Sequence, residues 1–176
     1  MKQNTLLSSL LLLAALPILL HVSAQAATST PPPLPPAATE FLAAHNEARA
    51  AVGVQPLIWS QQLANATSRL VRLQRDKMAC QFANLTAGKY GANQLMTSGG
   101  AVTPRIAVEE WVRQKQYYNH ANNSCVPNHR CGVYTQVVWR KSIMLGCAQA
   151  TCVKEDASLT ICFYNPPGNY FGESPY

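Results

Sequence analysis

The chain has 176 residues, a formal net charge of +6 and 12% charged side chains, which suits one globular domain with one sizeable core. The positive charge favours contact with polyanions. Nucleic acid is excluded as the expected partner, because the basic residues at 69, 72, 75 and 77 share one predicted helix at ordinary helical spacing and form no stripe that could follow phosphates.

The N-terminal segment has the layout of a secretory signal peptide. Lys2 precedes an apolar stretch over residues 10–20 that Pro17 interrupts, and Ala24-Gln25-Ala26 forms a small-residue cleavage site. The alternative is a membrane anchor, which needs about 20 consecutive apolar residues. The sequence therefore predicts that residues 1–26 are removed and that the mature chain is secreted without a transmembrane anchor.

Residues 27–38 are predicted to be a proline-rich linker that leads into one domain, residues 39–176. The linker contains TSTPPPLPP, and proline lacks the amide proton that helices and inner strands require. We expect an extended spacer, and a docking peptide for a proline-binding module is the alternative.

Three helices are predicted next along the chain. The first spans residues 39–52, with Thr39 as N-cap and Gly53 as the stop. The second is capped by Ser60 and continues to about residue 78, and the third is long and begins at Thr103-Pro104. The apolar stripe of the second helix comprises Leu63, Ala66, Leu70 and Leu73.

Strands are predicted for segments rich in β-branched and aromatic residues. These segments are residues 93–98, 132–139, 142–150 and 157–164. Because helices come first and strands later, without regular alternation, the pattern predicts an α+β domain with helices flanking a mostly antiparallel sheet.

The six cysteines indicate a disulfide framework, since an even number in a secreted chain points to bridges. A zinc site is the weaker alternative because the chain has no C-x-x-C pair. Three N-x-S/T sequons, at Asn65, Asn84 and Asn122, fit the same secretory route and predict glycosylation.

Four motifs resemble plant pathogenesis-related-one proteins of the CAP superfamily. They are FLAAHNEARAAVGVQPLIWS at residues 41–60, CGVYTQVVWRKS at 131–142, LGCAQATC at 145–152 and CFYNPPGNYFGESPY at 162–176. With the six cysteines, the likeness covers essentially all of residues 39–176. The proline-rich linker and the segment CQFANLTAGKYGANQL are similar to a pistil-expressed branch of this family.

The resemblance implies a three-layer α-β-α sandwich held by three disulfides. The bridges it implies are Cys80 to Cys152, Cys125 to Cys131 and Cys147 to Cys162. It also implies an extracellular or cell-wall protein in plant defence or in reproductive tissue. There the positive charge could attract an anionic cell-wall polysaccharide, and we expect a monomer.

Members of the family carry a cleft with two histidines and two glutamates, a donor set that suits a divalent ion. In this sequence the corresponding positions are Asn84, Ala92, Gln114 and Val133. Alanine and valine have no lone pair, and neutral amides are weak substitutes, so we expect no metal cofactor and no metal-dependent hydrolase activity. Glu110, His120 and His129 are the nearest candidates for a replacement site.

No nucleophilic centre is predicted either. The sequence lacks a G-x-S-x-G elbow, and a chain whose cysteines are all bridged has no free thiol. His45 is interpreted as a hydrogen-bonded helix residue, because a catalytic base needs a nucleophile. The prediction is therefore a non-catalytic protein.

CAP proteins of this type are associated with sterol and lipid binding, and this resemblance suggests the leading function. The candidate residues are Trp111, Tyr117 and Tyr118, because aromatic rings and phenol hydroxyls suit a sterol. In the alternative interpretation Trp111 is a core residue and the two tyrosines are ordinary half-buried side chains.

A second functional hypothesis is a precursor of a signalling peptide. The C-terminal residues 166–176, PPGNYFGESPY, resemble a segment that is released from plant relatives. Phe163 departs from the asparagine usual after the last cysteine, which weakens the expectation of processing at Asn165-Pro166. The alternative is that Tyr170, Phe171 and Tyr176 pack on the domain as ordinary core.

Overall fold

The computed structural model describes residues 32–85 and 88–176, of which Pro33–Tyr176 form one compact unit. The predicted signal peptide (1–26) and linker residues 27–31 lie outside the described residues. No helix in the described part of the chain is long and apolar enough to span a membrane.

The described chain contains four α-helices, one 3₁₀ helix and six strands. In order they are α1 Pro36–Ala50, β1 Ile58–Trp59, α2 Gln61–Lys77, β2 Gly91–Ser98, α3 Pro104–Arg113, the 3₁₀ helix Gln114–Tyr117, β3 Tyr118–Asn119, β4 Ser124–Cys125, α4 Gly132–Val137, β5 Met144–Cys152 and β6 Ala157–Asn165.

The main sheet has the order β1-β5-β6-β2, with β1 parallel to β5 and the other pairs antiparallel. Adjacent residues of β6 point to opposite faces. Cys162 packs with Phe41 of α1 and Val108 of α3, whereas Ile161 packs with Val71 of α2. The sheet is therefore covered on both faces, which confirms the predicted α+β sandwich with a mostly antiparallel sheet.

The first helix begins at Pro36, three residues before the predicted N-cap, so the Thr39 prediction was wrong. Proline is well suited to a first helical position because its fixed φ and missing amide proton cost nothing there. The Thr39 hydroxyl instead donates to the Pro35 carbonyl oxygen at 3.3 Å, inside the first turn. Pro36 to Ala38, assigned to the linker from sequence, are helical.

The predicted cap of α2 is confirmed, since Ser60 Oγ accepts a hydrogen bond from the Leu63 amide at 3.3 Å. The predicted apolar stripe is rotated, however, and Leu73 is 51% exposed. The face that packs contains Leu63, Ala64, Thr67, Val71 and Gln74. A Cβ added at Gly146 of β5 would come closer than 3.0 Å to the α2 backbone at Leu63 and Ala64, so this glycine permits the close approach.

Two further element predictions were wrong. The segment predicted as a strand at residues 132–139 contains α4, in which Tyr134 and Val137 are almost completely buried. A short apolar run has the same composition in a buried helix and in a buried strand, so periodicity cannot separate them. The third helix begins at Pro104 as predicted, with the Thr103 hydroxyl accepting from the Ile106 amide at 3.2 Å, but it is shorter than predicted and continues after Arg113 as the 3₁₀ helix.

Three disulfides join the pairs that the resemblance implied. They are Cys80–Cys152, Cys125–Cys131 and Cys147–Cys162, and no described cysteine is free. Each bridge of this kind contributes about 2–4 kcal/mol, largely by restricting the unfolded chain.

Arg49 of α1 is a cation in the core, with 0% of its surface exposed. Its guanidinium donates to four backbone carbonyl oxygens: Nε to Gln55 at 2.7 Å, Nη1 to Val137 at 3.1 Å and Trp139 at 2.9 Å, and Nη2 to Ser142 at 3.0 Å. Burial lowers the pKa of Arg49 to about 10, so the group stays charged at neutral pH. Arg49 thus ties α1 to the segment between α4 and β5.

We predict that Arg49→Met lowers the free energy of unfolding by about 3–5 kcal/mol, because it leaves buried carbonyl groups without donors. Urea denaturation at neutral pH measures the loss. Arg105→Met is the matched control, since Arg105 is half-exposed and pairs with Glu47 at 2.7 Å on the surface. Equal losses in the two variants would contradict the role assigned to Arg49.

Candidate functional site

Three of the four positions that the resemblance assigns to the family's metal cleft lie on neighbouring elements. Ala92 is on β2, Val133 is in α4 and Gln114 begins the 3₁₀ helix, and α4 contacts both of the other elements. Asn93 Nδ2 donates to the Val133 carbonyl oxygen at 2.9 Å, which connects β2 to α4. These three positions therefore lie on elements that pack against one another.

Asn84 is exposed and lies in the segment that follows α2. Its neighbour Ala83 is held against β2, because the Ala83 amide donates to Gln94 Oε1 at 2.9 Å and Gln94 Nε2 donates to the Ala83 carbonyl oxygen at 3.0 Å. The fourth position is therefore anchored to the same strand as Ala92.

The residues of this cleft do not fit a divalent metal. The side chains of Ala92 and Val133 contain only carbon and hydrogen, so they have no atom that can ligate a metal. Gln114 offers one neutral amide oxygen, which is buried without a hydrogen-bond partner in the described chain. Within residues 32–85 and 88–176, no group of three or more His, Cys, Asp or Glu side chains is placed to hold an ion.

The three candidates for a replacement site are engaged elsewhere. Glu110 forms an ion pair with Arg113, at 2.8 Å between carboxylate and guanidinium. His120 stacks on Tyr176 with ring centroids 4.4 Å apart, and His129 stacks on Tyr117 at 3.9 Å. These contacts give the side chains structural roles on the surface.

His45 belongs to a buried hydrogen-bond chain. Asn93 Nδ2 donates to Tyr164 Oη at 3.1 Å, the Tyr164 hydroxyl donates to His45 Nε2 at 2.8 Å, and His45 Nδ1 donates to the Phe41 carbonyl oxygen at 2.7 Å. We assign this tautomer because a backbone carbonyl can only accept. Among the described residues no serine or cysteine bonds to His45, which supports the interpretation of His45 as a helix residue rather than a base.

Burial lowers the pKa of His45 from 6.5 to about 4. The folded protein therefore binds this proton more weakly than the unfolded chain does. The free energy of unfolding is at its full value above pH 6.5 and falls as the pH is lowered toward 4. We predict a loss of about 3 kcal/mol between neutral pH and about pH 4, measured by urea denaturation.

The pH dependence should be much weaker in His45→Gln, which keeps one donor and one acceptor but has no proton to gain. His129→Gln is the matched control and should retain the wild-type slope, because His129 is exposed. An unchanged slope in His45→Gln would assign the titration to another group.

The three predicted lipid-binding residues occupy different environments. Trp111 is 2% exposed, and its Nε1 donates to the Gln94 carbonyl oxygen at 3.3 Å, so it belongs to the core and not to an accessible surface. Tyr117 and Tyr118 are half-buried neighbours. Tyr118 lines a cavity, whereas Tyr117 is not among the residues that line it and is stacked on His129.

We call this cavity the tail pocket, because the C-terminal residues form one of its walls. Its volume is about 460 Å³. The other walls are the β3–β4 hairpin, α4 and the loop after α4. The lining residues are Tyr118, Asn123, Ser124, Cys125, Cys131, Gly132, Thr135, Trp139, Asn169, Tyr170, Phe171, Gly172, Glu173 and Pro175.

The hairpin wall is bound to the tail. The Tyr118 hydroxyl donates to Asn123 Oδ1 at 2.9 Å, and Asn123 Nδ2 donates to the Glu173 carbonyl oxygen at 2.9 Å. The Cys125–Cys131 bridge joins the end of β4 to the residue before α4. Burial raises the pKa of Tyr118, so this hydroxyl remains protonated over the physiological range.

Trp139 lies beneath the tail and lines the pocket. It is almost completely buried, and its Nε1 has no hydrogen-bond partner in the described chain. A Cβ added at Gly168 would come closer than 3.0 Å to Trp139, so the tail backbone passes directly over the indole. Sequence analysis missed Trp139 and the tail as pocket residues, because they meet Tyr118 only in the folded chain.

The tail is docked by polar contacts, yet its middle is exposed. Tyr176 Oη shares a hydrogen bond of 3.1 Å with Tyr134 Oη, and the Pro175 carbonyl oxygen accepts from the Arg140 amide at 2.8 Å. Tyr176 packs on the core as the alternative reading expected. Tyr170 and Phe171 do not, because Tyr170 is 50% exposed and Phe171 is fully exposed. Release of residues 166–176 stays a prediction.

The sequons also stay predictions. Asn65 is exposed on α2 and Asn122 is exposed in the hairpin loop, as glycosylation requires. Asn84 is exposed too, but Thr86 of its sequon lies outside the described residues.

With the fold and these contacts established, the family can be assigned. The sequence model of the CAP family, described as the cysteine-rich secretory protein family, matches residues 42–164. The chain belongs to the CAP family. This confirms the resemblance drawn from the four motifs.

Two curated relatives refine the assignment. STS14 protein of Solanum tuberosum is 64% identical over 140 residues, which are 80% of this chain and 65% of that protein, so the chain spans less than two thirds of it. Pathogenesis-related protein 1A of Nicotiana tabacum is 46% identical over 138 residues, covering 78% of this chain and 79% of the relative. The CAP chain is thus of the pathogenesis-related-one type.

The fold of this CAP chain also matches solved structures. The structure of BmVAL-1 superposes with a TM-score of 0.65 at 23% identity and covers 81% of this chain and 83% of that one. At this identity the likeness shows the shared fold alone.

We predict that the cleft of this CAP protein does not bind zinc at neutral pH with an affinity of about micromolar or better, which corresponds to roughly 8 kcal/mol. The reason is the donor set, which lacks imidazole and carboxylate. Isothermal titration calorimetry is the measurement. A triple variant, Ala92→Glu with Gln114→Glu and Val133→His, restores three ligands and serves as the positive control. Saturable one-to-one binding by the wild type would contradict the prediction.

Proposed function

We propose that this CAP protein is a secreted, non-catalytic protein that binds a sterol or a similar lipid in the tail pocket, acting in plant defence or in pistil tissue. The observation that carries the proposal is the pocket itself, an open pocket of about 460 Å³ with four aromatic side chains in its walls. They are Tyr118, Trp139, Tyr170 and Phe171.

The size and the lining of the pocket support a ligand of this class. Small-molecule sites commonly measure about 300–1,000 Å³ and are mostly apolar, with few polar groups. Aromatic rings offer flat apolar faces that match a fused-ring ligand. Two of the polar lining residues satisfy each other, since Thr135 Oγ1 donates to Asn169 Oδ1 at 2.7 Å. Much of the remaining surface is therefore apolar.

The Nε1–H of Trp139, which is unpaired among the described residues, favours a ligand that carries one hydroxyl oxygen to accept its hydrogen bond. A buried donor without a partner costs about 1–3 kcal/mol. A ligand oxygen that reaches this indole through a small shift of the pocket wall would recover part of that cost. The sterol 3-hydroxyl is such an oxygen, attached to an otherwise apolar body.

The polar groups near the pocket support binding rather than catalysis. Ser142, the buried serine of the loop beneath the tail, donates from Oγ to the Pro166 carbonyl oxygen at 2.8 Å and accepts from Gln136 Nε2 at 3.2 Å. Neither partner is a base that could activate it. The buried His45 bonds to Tyr164 and Phe41 instead.

The setting is proposed from the relatives. Pathogenesis-related proteins support a role in defence, and the similarity to the pistil-expressed branch supports a role in reproductive tissue. Secretion is supported by the signal-peptide pattern of residues 1–26 and by the three disulfides.

We predict that the purified mature protein binds dehydroergosterol saturably and that Tyr118→Ala weakens the affinity about tenfold, because a ring contact is lost. Energy transfer from tryptophan to the fluorescent sterol measures the binding. Tyr117→Ala is the matched control and should keep wild-type affinity, since Tyr117 lies outside the pocket. The proposal fails if the wild type shows no saturable binding. Equal weakening in both variants would place the site elsewhere.

A further inference from the structure

We infer that the C-terminal tail, residues 166–176, forms part of the ligand site. A ligand therefore binds only while the tail is docked on the domain, and a bound ligand keeps the tail docked. The inference rests on the proposed function, because it concerns the same pocket. It adds that an intact tail is required for binding and that a bound ligand protects the tail.

The composition of the pocket is the first observation. Six of the fourteen lining residues belong to the tail: Asn169, Tyr170, Phe171, Gly172, Glu173 and Pro175. The facing wall comes from the hairpin and α4. Without the tail the cavity would be an open face of the domain, with Tyr118 and Trp139 exposed to water.

The attachment of the tail is the second observation. On one side of the pocket Asn169 accepts from Thr135 Oγ1 at 2.7 Å and donates from Nδ2 to the Gly132 carbonyl oxygen at 2.8 Å. On the other side the Glu173 carboxylate pairs with Lys141 Nζ at 2.7 Å. These contacts are non-covalent, and no disulfide in the described chain lies beyond Cys162.

The stretch between these anchors is a turn, in which the Glu173 amide donates to the Tyr170 carbonyl oxygen at 3.1 Å. Phe171 is fully exposed at the pocket rim, and Gly172 has a positive φ of 79° that suits a change of direction. An exposed phenylalanine gains by covering an apolar ligand. Phe171 is therefore the tail residue that we expect to close over the bound molecule.

These observations imply a thermodynamic linkage. If a ligand contacts both walls, it binds only the state in which the tail is docked, and binding then favours that state by the factor 1 + [L]/Kd. The coupling is reciprocal, so loss of the tail lowers ligand affinity. The undocked tail is open to an external protease, which hydrolyses one backbone peptide bond, adding water and leaving a carboxylate and an amine.

The test is protection of the tail in the full mature protein. Chymotrypsin cleaves after aromatic residues and needs the chain around them in an extended, undocked form, so cleavage after Tyr170 and Phe171 reports the undocked tail. At dehydroergosterol concentrations of about ten times Kd, cleavage at these residues should slow about tenfold, as mass spectrometry would show. Phe82 is an internal control, because it is 55% exposed and does not line the pocket, so its cleavage rate should not change.

A point variant tests the same wall without cutting the chain. Phe171→Ala should fold normally, because the ring contacts solvent, and should bind dehydroergosterol about fivefold more weakly. Phe82→Ala is the matched surface control and should bind as the wild type does. Circular dichroism verifies the fold of both variants.

The outcomes separate the two proposals. If the intact wild type does not bind the sterol, the proposed function fails. If it binds, but the Phe171→Ala variant keeps full affinity and the tail is cleaved at the same rate with and without ligand, the inference fails and the proposed function stands. Slower cleavage together with weaker binding of the variant supports both.

Discussion

The structure depends on one buried cation. Arg49 has no carboxylate partner among the described residues, so its charge is stabilised by backbone carbonyl oxygens alone, three of them between Val137 and Ser142. These oxygens must converge on one point, which fixes the path of the chain from α4 to β5. That same path places Trp139 in the pocket and Ser142 under the tail, where it bonds to Pro166. A core interaction thereby shapes a surface site.

The family cleft and the tail pocket use different parts of α4. Val133 points its carbonyl oxygen to β2, whereas Gly132 and Thr135 line the tail pocket. The hydrogen-bond chain through His45 and Tyr164 supports the fold beside the cleft and requires no metal. The sheet, the helices and the tail pocket therefore do not depend on ligating side chains at Ala92, Gln114 and Val133.

The ligand site that we propose is assembled from three separate stretches of sequence. Tyr118 and Asn123 come from the hairpin, Thr135 and Trp139 from α4 and the loop after it, and Phe171 from the tail. Each stretch is positioned by a different device: a disulfide, the Arg49 contacts, and the hydrogen bonds that dock the tail. Movement of the tail therefore changes the pocket directly, without a change elsewhere in the domain.

The sequence by itself determined the features that local chemistry encodes. The Ser60 cap, the strands β5 and β6, the fully bridged cysteines and the absence of ligating atoms at Ala92 and Val133 follow from the residues or from their motifs. Only the tertiary structure decided which apolar residues are core and which are accessible. Burial of Trp111 and exposure of Phe171 depend on packing between distant segments. A helical or strand-like pattern in the sequence cannot reveal that packing. For the same reason the helix at Gly132–Val137 and the tail wall of the pocket required the folded chain.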